Sequence, residues 1–290
     1  MILVVGATGQ LGGRITRELL ARGKKVRMLV RPESPYATLA ALGAEASFGD
    51  LRDRASLDAA CLGVSSVITT ANSARRAGAD SVEAVDLNGT RSLIDAAAAA
   101  GVRQFIYTSV LGVTESHPSP FLSAKAKNET HLRASGMNWT ILAPNAFQES
   151  WPLMVVGVPA LMGHPISFVG EGHRKHTFVS EGDVASFALT ALDHPAAANK
   201  HIPIGGPEAL SWRDIVAIYE RLLGHPLQVL PVPPGKAIAG IPDVVLGFLA
   251  ALDTYDSAFD AGAVAGEFGV RLTPLEEVAG AQVAGRAAAH

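Results

Sequence analysis

The sequence has few of the features that mark several large protein classes. It contains one cysteine, Cys61, which excludes an internal disulfide and indicates a reducing compartment. Lysine and arginine number 24 against 27 aspartates and glutamates, and no basic stripe predicts nucleic-acid binding. The longest apolar runs, WPLMVVGVPALMG and VVLGFLAAL, are shorter than the ~20 residues of a membrane span. We therefore expect a cytoplasmic protein with neither a membrane nor a nucleic acid as partner.

Short β-branched runs alternate with helical stretches in the first half of the chain. The runs lie at residues 2–5, 25–30, 44–48, 65–70, 104–109 and 138–142. Strands that alternate with helices at this interval predict βαβ units and a parallel, doubly wound α/β sheet of the Rossmann type. Such a sheet binds its ligands beyond the carboxyl ends of the strands.

The alternation weakens after about residue 143, where prolines interrupt an apolar segment that cannot form a regular long helix. Later helices are predicted from Asp183 to about Leu192 and over SWRDIVAIYERLLG, the latter with a capping box from Ser211 to Asp214. We therefore divide the chain into a ligand-binding sheet domain, residues 1–143, and a smaller, irregular substrate-binding lobe, residues 144–290, with some segments returning to the sheet.

The most specific motif is GATGQLGG at residues 6–13, directly after the first predicted strand. Gly6 permits a tight turn, Gly9 lets the backbone approach a pyrophosphate, and Gly12 lets the next helix pack closely on the strand. Amides at the start of that helix, with the helix dipole behind them, then hold the anion. The strand–turn–helix context favours a dinucleotide site over an ordinary glycine-rich turn.

Charged residues after the second and third strands bear on which dinucleotide is bound. An NAD-preferring site places Asp or Glu roughly 20 residues beyond the loop, on the ribose 2′-hydroxyl. Here the second strand ends instead at Arg31, whose guanidinium suits a 2′-phosphate, so NADP(H) is preferred over NAD(H). A solvated strand-end arginine is the alternative. Asp50, after the third strand, has two open interpretations, an acceptor for the adenine amino group or a helix N-cap.

Together the motifs resemble the NmrA-like family of atypical short-chain dehydrogenases/reductases, and especially its quinone-reductase-like and triphenylmethane-reductase-like members. Besides the glycine loop, the resemblance rests on LVRPES, GDLRD, VDLNGT, AAGVRQFIYTSVLG, SAKAKNETHLRASGMNWTILAP, DVASFAL, GGPEALSWRDI and LTPLEEV. It implies cofactor contacts from Gly6, Thr8, Gly9, Gln10, Leu11, Gly12, Arg31, Asp50, Leu51, Thr70, Ala71, Asn72, Thr108, Lys125, Pro144 and Asn145. In this scheme Asp50 and Leu51 flank the adenine, and Lys125 contacts the cofactor ribose.

One position departs from many short-chain reductases. In SPFLSAKAK, Lys125 lies four residues after Phe121, at the position where those enzymes hold a tyrosine that exchanges a proton with the substrate. A phenylalanine carries no such proton, which argues against alcohol–ketone and epimerase chemistry. Hydride transfer to a quinone or a cationic conjugated dye needs no proton in the same step, so that reaction class is left intact.

Other polar residues are catalytic candidates with competing interpretations. Ser109 would donate to a substrate oxygen or be satisfied by the backbone, and His117, in the loop before the Lys125 helix, would act as an acid or lie at the surface. Lys125 would be functional or a solvated helix lysine. The HRKH motif at residues 173–176 has no carboxylate or cysteine cluster beside it, so we predict a basic surface turn and no metal site.

We therefore predict an NADPH-dependent reductase that transfers hydride to a quinone-like or other conjugated small molecule, as a monomer or homodimer. The alternative is a non-enzymatic NADP(H)-sensing regulatory protein of the NmrA type, because the family contains such proteins and Phe121 suits one. Epimerase-, dehydratase- or lyase-like chemistry on a biosynthetic intermediate is a third, less favoured possibility.

Overall fold

The computed structural model describes residues 1–74, 78–238 and 241–287. Within these residues the strands are β1 Ile2–Val5, β2 Val26–Val30, β3 Glu45–Phe48, β4 Ser66–Thr69, β5 Gln104–Thr108, β6 Asn138–Pro144 and β7 Lys200–Ile204. They form one sheet in the order β3-β2-β1-β4-β5-β6-β7, and the pairings from β3 to β6 are parallel. The predicted Rossmann-type α/β fold is confirmed. The strand order reverses at β1 and β4, where doubly wound sheets bind their ligands.

Most of the strands are the β-branched runs of the sequence, whereas β3, with the sequence EASF at the edge of the sheet, contains no β-branched residue. All residues of β1 are buried, and in β5 only the first residue is partly exposed. A parallel sheet that is covered on both faces requires such continuous apolar runs. The strand bounds consequently lie within one or two residues of the predicted ones.

Helices connect the strands and continue through the second half of the chain. The α-helices are α1 Gln10–Ala21, α2 Ala37–Ala41, α3 Arg54–Cys61, α4 Thr90–Ala99, α5 Pro120–Arg133, α6 Val158–Met162, α7 Glu181–Asp193, α8 Trp212–Leu223, α9 Asp243–Leu252, α10 Gly262–Glu267 and α11 Leu275–Ala287. Wider π-helical turns over Val82–Gly89 and Leu153–Gly157 lead into α4 and α6, and a 3₁₀ turn over Pro195–Ala197 follows α7. Among the described helices, none combines the length and the apolar character needed to cross a membrane.

The predicted capping box begins α8. The Asp214 N–H donates to Ser211 Oγ at 3.2 Å, and the Ser211 N–H donates to the Asp214 carboxylate at 2.9 Å. Both residues thereby satisfy amides that the helix itself cannot pair. The helix ends at Gly224, whose φ of 76° places it in the left-handed conformation that a glycine adopts without strain.

The chain divides into two compact units. The first comprises Met1–Pro144 and Val184–Pro203, and it contains strands β1 to β6. The second comprises Asn145–Asp183 and Ile204–His290. The first junction therefore lies between Pro144 and Asn145, and one segment of the second half of the sequence belongs to the first unit.

The core of the first unit contains the one cysteine of the chain. Cys61, the last residue of α3, has no exposed surface and packs with apolar residues that include Leu57 and Val64. Burial raises the pKa of its thiol to about 11. Cys61 is thus the small core residue that its apolar surroundings in the sequence predict, and it stays protonated at neutral pH.

The second unit places one histidine of the HRKH motif differently from the prediction. His173 is exposed, whereas His176 is only 1% exposed. Its Nδ1 lies 2.7 Å from Ser257 Oγ and its Nε2 lies 3.0 Å from Leu252 O. The prediction of a basic surface turn is wrong for His176, because chain more than seventy positions away covers its ring. Burial lowers the pKa of this imidazole.

Candidate cofactor-binding site

The glycine loop joins β1 to α1 at the point where the strand order reverses. Gly6 has a φ of +90°, which residues with a side chain rarely adopt, and its carbonyl accepts the Gly9 N–H at 3.0 Å to close the turn. A Cβ on Gly12 would lie 2.2 Å from Gly6 O and 2.7 Å from Thr70 Oγ1. The start of α1 therefore packs against the turn at a distance that only glycine allows.

The first turn of α1 is suited to an anion. Gly9 is the N-cap and has no side chain to bond the helix amides, and both Gly9 and Gln10 are exposed while Leu11 is buried. Amides in the first turn have no acceptor within the helix, and the helix dipole adds positive charge there. The loop therefore fits the pyrophosphate of a dinucleotide. The residues that would hold it are Gly6, Thr8, Gly9, Gln10, Leu11 and Gly12.

The residues after β4 lie beside this loop. A Cβ on Gly6 would lie 2.7 Å from Thr70 Oγ1 and 2.8 Å from the Ala71 nitrogen. Asn72 is exposed, and its Oδ1 accepts the Ala74 N–H at 3.0 Å. The ends of β1 and β4 are therefore close enough for one ligand to contact both, and the expected cofactor contacts of Thr70, Ala71 and Asn72 stay predictions.

Arg31 directly follows β2 and is surrounded by carboxylates. Its Nη1 donates to Asp80 Oδ2 at 2.9 Å and lies 3.9 Å from Asp50 Oδ2. Its Nε lies 3.0 Å from Glu33 Oε1, and 26% of its side chain is exposed. The alternative of a solvated strand-end arginine is wrong, because carboxylates pair with the guanidinium of Arg31 and most of its side chain is buried. Its guanidinium is held at the strand end where a 2′-phosphate is expected.

The carboxylate of Asp50 binds an arginine and does not cap a helix. It accepts the Arg52 N–H at 2.9 Å and the Nε and Nη2 of the same residue at 2.9 and 2.7 Å. These bonds to Arg52 hold the pKa of Asp50 below its ordinary value. The N-cap of α3 is instead Asp53, which accepts the Ala55 N–H. The N-cap interpretation of Asp50 is therefore wrong, and its neighbour Leu51 is 8% exposed in the core.

Lys125 lies on α5 and is 4% exposed. Its Nζ donates to Thr108 O at 2.9 Å and lies 4.9 Å from the Tyr107 ring centroid and 5.5 Å from that of Phe121. Burial lowers the pKa of this ammonium to about 8, although nearby carboxylates oppose the shift. The alternative of a solvated helix lysine is wrong, because the amino group is buried between the end of β5 and two aromatic rings.

The two hydroxyls at the end of β5 differ in their partners. Thr108 Oγ1 is buried and has no hydrogen-bond partner among the described residues. Ser109 is 2% exposed, and its Oγ donates to Glu129 Oε1 at 2.5 Å, while Glu129 Oε2 accepts from Arg133. A carboxylate, not the backbone, therefore satisfies Ser109. Donation from Ser109 to a substrate would first require this bond to break.

His117 lies half-buried in the loop between β5 and α5. Its Nδ1 accepts the N–H of Ser119, the N-cap of α5, at 3.0 Å. This bond uses the Nδ1 lone pair, so the proton of the neutral ring resides on Nε2. The structure thus gives His117 a local role at the helix start, and its role as an acid stays a prediction.

Pro144 is buried at the end of β6, and Asn145 begins the second unit. The Asn145 Nδ2 donates to Thr177 Oγ1 at 3.1 Å and to Ser257 Oγ at 2.9 Å. These bonds account for both hydrogens of the amide group. Asn145 therefore joins separate segments of the second unit, and its expected contact with the cofactor stays a prediction.

Two surface cavities of the first unit lie at opposite ends of the strands. One of about 610 Å³ opens at the strand starts and is lined by residues that include Lys24, Ser65 and Arg103. Another of about 430 Å³ lies at the strand ends and is lined by residues that include Arg31 and Arg52. Parallel α/β sheets bind ligands at the carboxyl ends of their strands, so the smaller cavity belongs to the candidate cofactor site.

The structure adds residues that the sequence analysis missed. Arg52 Nη1 lies 3.2 Å from Asp80 Oδ1, which links these side chains to Arg31. The motif GDLRD held a signal for Arg52, since an arginine two positions after an aspartate can fold back on it. Glu129 lies one helical turn after Lys125 and so shares its helix face. Asp80 had no local signal, because it lies 49 positions from Arg31.

The model of the NmrA-like family matches residues 1–277. The chain belongs to the NmrA-like family. The resemblance found from the motifs is thereby confirmed.

The relatives of this NmrA-like protein carry different names. It is 34% identical over 259 residues to sterol demethylase protein B of Methylococcus capsulatus, covering 80% of this chain and 77% of that protein. It is 34% identical over 232 residues to photosystem II assembly factor Ycf39 of Cyanophora paradoxa (80% and 71% covered). It is 30% identical over 232 residues to NAD(P)H azoreductase of Xenophilus azovorans (80% and 77% covered). Family membership therefore leaves the substrate open.

A solved structure with the same fold is the NADPH-dependent quinone oxidoreductase QOR2 of Escherichia coli, complexed with NADPH. It matches with a TM-score of 0.80 at 25% identity, over 96% of this chain and 98% of that one. The Rossmann-type fold is thus shared along nearly the whole length of both chains.

Proposed function

We propose that this NmrA-like protein is an NADPH-dependent reductase that transfers hydride to a quinone-like or other conjugated small molecule. The glycine loop at residues 6–13 carries the proposal, because its close packing against α1 leaves the backbone open to a pyrophosphate. The broader class, an NAD(P)H-dependent oxidoreductase, is supported by the names of the azoreductase relative and of the quinone oxidoreductase with the same fold.

The preference for NADP(H) rests on the charges at the ends of β2 and β3. Arg31 follows β2, and Arg52 follows β3 within the same cavity. Guanidinium groups bind phosphate oxygens through paired N–H donors, whereas a 2′-hydroxyl gains little from them. Both arginines would therefore contribute more to binding NADPH than to binding NADH.

A conjugated acceptor suits the surroundings of Lys125. The bound nicotinamide would supply the hydride, and the protein would bind and orient the acceptor, which alone can contribute several kcal/mol. Phe121 offers a flat apolar ring and no exchangeable proton. Lys125 Nζ donates to the Thr108 carbonyl at the end of β5, where the buried Thr108 hydroxyl has no hydrogen-bond partner among the described residues. A delocalised acceptor takes up the hydride without protonation in the same step, so the reaction does not require a tyrosine at position 121.

The test is oxidation of NADPH and of NADH by the purified protein with a panel of quinones, azo dyes and triarylmethane dyes. We expect turnover with a preference for NADPH, and Arg31→Gln should lower kcat/KM for NADPH about tenfold or more while leaving that for NADH within about twofold. Lys24→Gln is the matched control, because Lys24 lies at the opposite edge of the sheet and pairs with Asp193. A preference for NADH would contradict the role of Arg31.

The second candidate function is a non-enzymatic NADP(H)-sensing protein. The observation that favours it is the 34% identity to a photosystem II assembly factor, whose name describes assembly and not catalysis. Tight NADPH binding without oxidation by any acceptor in the panel would favour this candidate over the reductase. Different affinities for a partner in the NADPH-bound and NADP⁺-bound forms would then be the positive evidence.

A further inference from the structure

The carboxylate of Asp80 binds both arginines of the smaller cavity, and it lies closer to Arg31 than Asp50 does, which is 3.9 Å from Arg31 Nη1. Asp80 Oδ2 accepts from Arg31 Nη1 at 2.9 Å, and Asp80 Oδ1 lies 3.2 Å from Arg52 Nη1. One carboxylate thus binds both guanidinium groups, each through a different oxygen. Only 13% of the Asp80 side chain is exposed, against 26% for Arg31 and 35% for Arg52.

Other carboxylates surround the same arginines. Asp50 accepts hydrogen bonds from Nε and Nη2 of Arg52. Glu33 Oε1 lies 3.0 Å from Arg31 Nε as an ion pair, although this Nε has no hydrogen-bond partner among the described residues. Among the described residues, each of these two arginines therefore already has acidic partners, which a bound phosphate would meet.

This arrangement bears on how a phosphate would bind. Asp80 already binds one Nη1 of each arginine, and a 2′-phosphate that bound the same guanidinium groups would carry the same sign of charge as this carboxylate. Both anions cannot share the donors of Arg31 and Arg52 without repulsion. A ribose 2′-hydroxyl, in contrast, carries no charge and can donate a hydrogen bond to a carboxylate, so NADH meets no such conflict.

We infer that Asp80 is a specificity-determining residue that competes with the 2′-phosphate of NADP(H) for Arg31 and Arg52. Binding of NADPH requires Asp80 to release these arginines, whereas binding of NADH leaves the pairs in place. Asp80 therefore lowers the preference for NADPH over NADH that the two arginines would otherwise produce. The inference rests on the proposed function, in that it assumes a dinucleotide in the glycine loop.

The experiment measures dissociation constants of the full chain by calorimetry for NADPH, NADH and the fragment adenosine 2′,5′-bisphosphate. We expect Asp80→Asn to tighten the binding of NADPH and of the bisphosphate about two- to fivefold, the upper part of the range for a partly exposed ion pair, and to leave that of NADH unchanged within about 1.5-fold. Asp80→Ser provides a second variant should the amide disturb the fold, and thermal unfolding of each variant reports on this.

The matched control is Asp53→Asn. Asp53 lines the same cavity, but its carboxylate caps α3 through the Ala55 N–H, and asparagine caps a helix equally well. If Asp53→Asn and Asp80→Asn tightened the binding of NADPH equally, the inference would be overturned. The effect would then come from removing any negative charge near the cavity and not from competition for the arginines. Unchanged or weaker NADPH binding by both Asp80 variants would also overturn the inference. Failure of the unmodified chain to bind NADPH or NADH would instead refute the proposed function.

Discussion

Replacing Lys125 with methionine should change the stability of the first unit in a direction that depends on pH. Burial lowers the pKa of the Lys125 ammonium from 10.5 to about 8. Each pKa unit corresponds to about 1.4 kcal/mol, so keeping this group charged in the folded state costs about 3 kcal/mol. Methionine removes that cost, but it also removes the hydrogen bond to Thr108 O, which contributes about 1–2 kcal/mol.

The difference in unfolding free energy between Lys125→Met and the unmodified protein changes sign between neutral and alkaline pH. Below pH 8 the folded lysine is charged and carries the full cost, so we expect Lys125→Met to be more stable than the unmodified protein by about 1–2 kcal/mol. Between pH 8 and 10.5 the unfolded chain holds more protons than the folded one, so the unmodified protein gains stability as pH rises. Above pH 10.5 the lysine is neutral in both the folded and the unfolded state. The variant should then be less stable by about 1–2 kcal/mol, the contribution of the lost hydrogen bond to Thr108 O.

Urea denaturation of both proteins at several pH values, followed by circular dichroism, gives the difference in unfolding free energy. Lys127→Met, on the same helix, controls for the change in net charge. NMR of ¹³Cε-labelled lysine adds a direct titration, in which Lys125 should have its midpoint near 8. Parallel stability curves for the variant and the unmodified protein, or a Lys125 midpoint at the ordinary lysine value, would refute the reasoning.

Two further substitutions test the loop and the end of β5. Gly12→Ala should abolish measurable binding of NADPH, because the new Cβ would lie 2.2 Å from Gly6 O. Calorimetry measures the dissociation constant. A value within about tenfold of that of the unmodified protein would contradict the close packing. Ser109→Ala should lower the unfolding free energy by about 1–3 kcal/mol, because it leaves a buried oxygen of Glu129 without its donor, while kcat stays within about twofold. A large loss of kcat at unchanged stability would instead restore Ser109 as a catalytic residue.

Much of the fold could be predicted because its signals are local. A strand buried on both faces needs consecutive apolar β-branched residues, so the run ILVV alone indicates β1. Ser211 and Asp214 lie three positions apart and cap α8 through that spacing. Where local signals compete, the interpretation stayed open: both Asp50 and Asp53 precede α3, and only the structure shows that Asp53 caps it while Asp50 turns back to Arg52.

The sequence by itself determined the Rossmann-type fold, the glycine loop and the absence of a tyrosine four residues before Lys125, since each depends on residue types at short spacing. Only the tertiary structure decided the partners of the charged groups. Asp80 reaches Arg31 across 49 positions, and Glu129 reaches Ser109 across 20. Chain segments so far apart meet only after the strands have paired, and no spacing along the chain encodes which side chains then face each other. Affinity for a 2′-phosphate and the pKa of Lys125 both depend on those encounters, because charge and burial act through distance in space and not along the sequence.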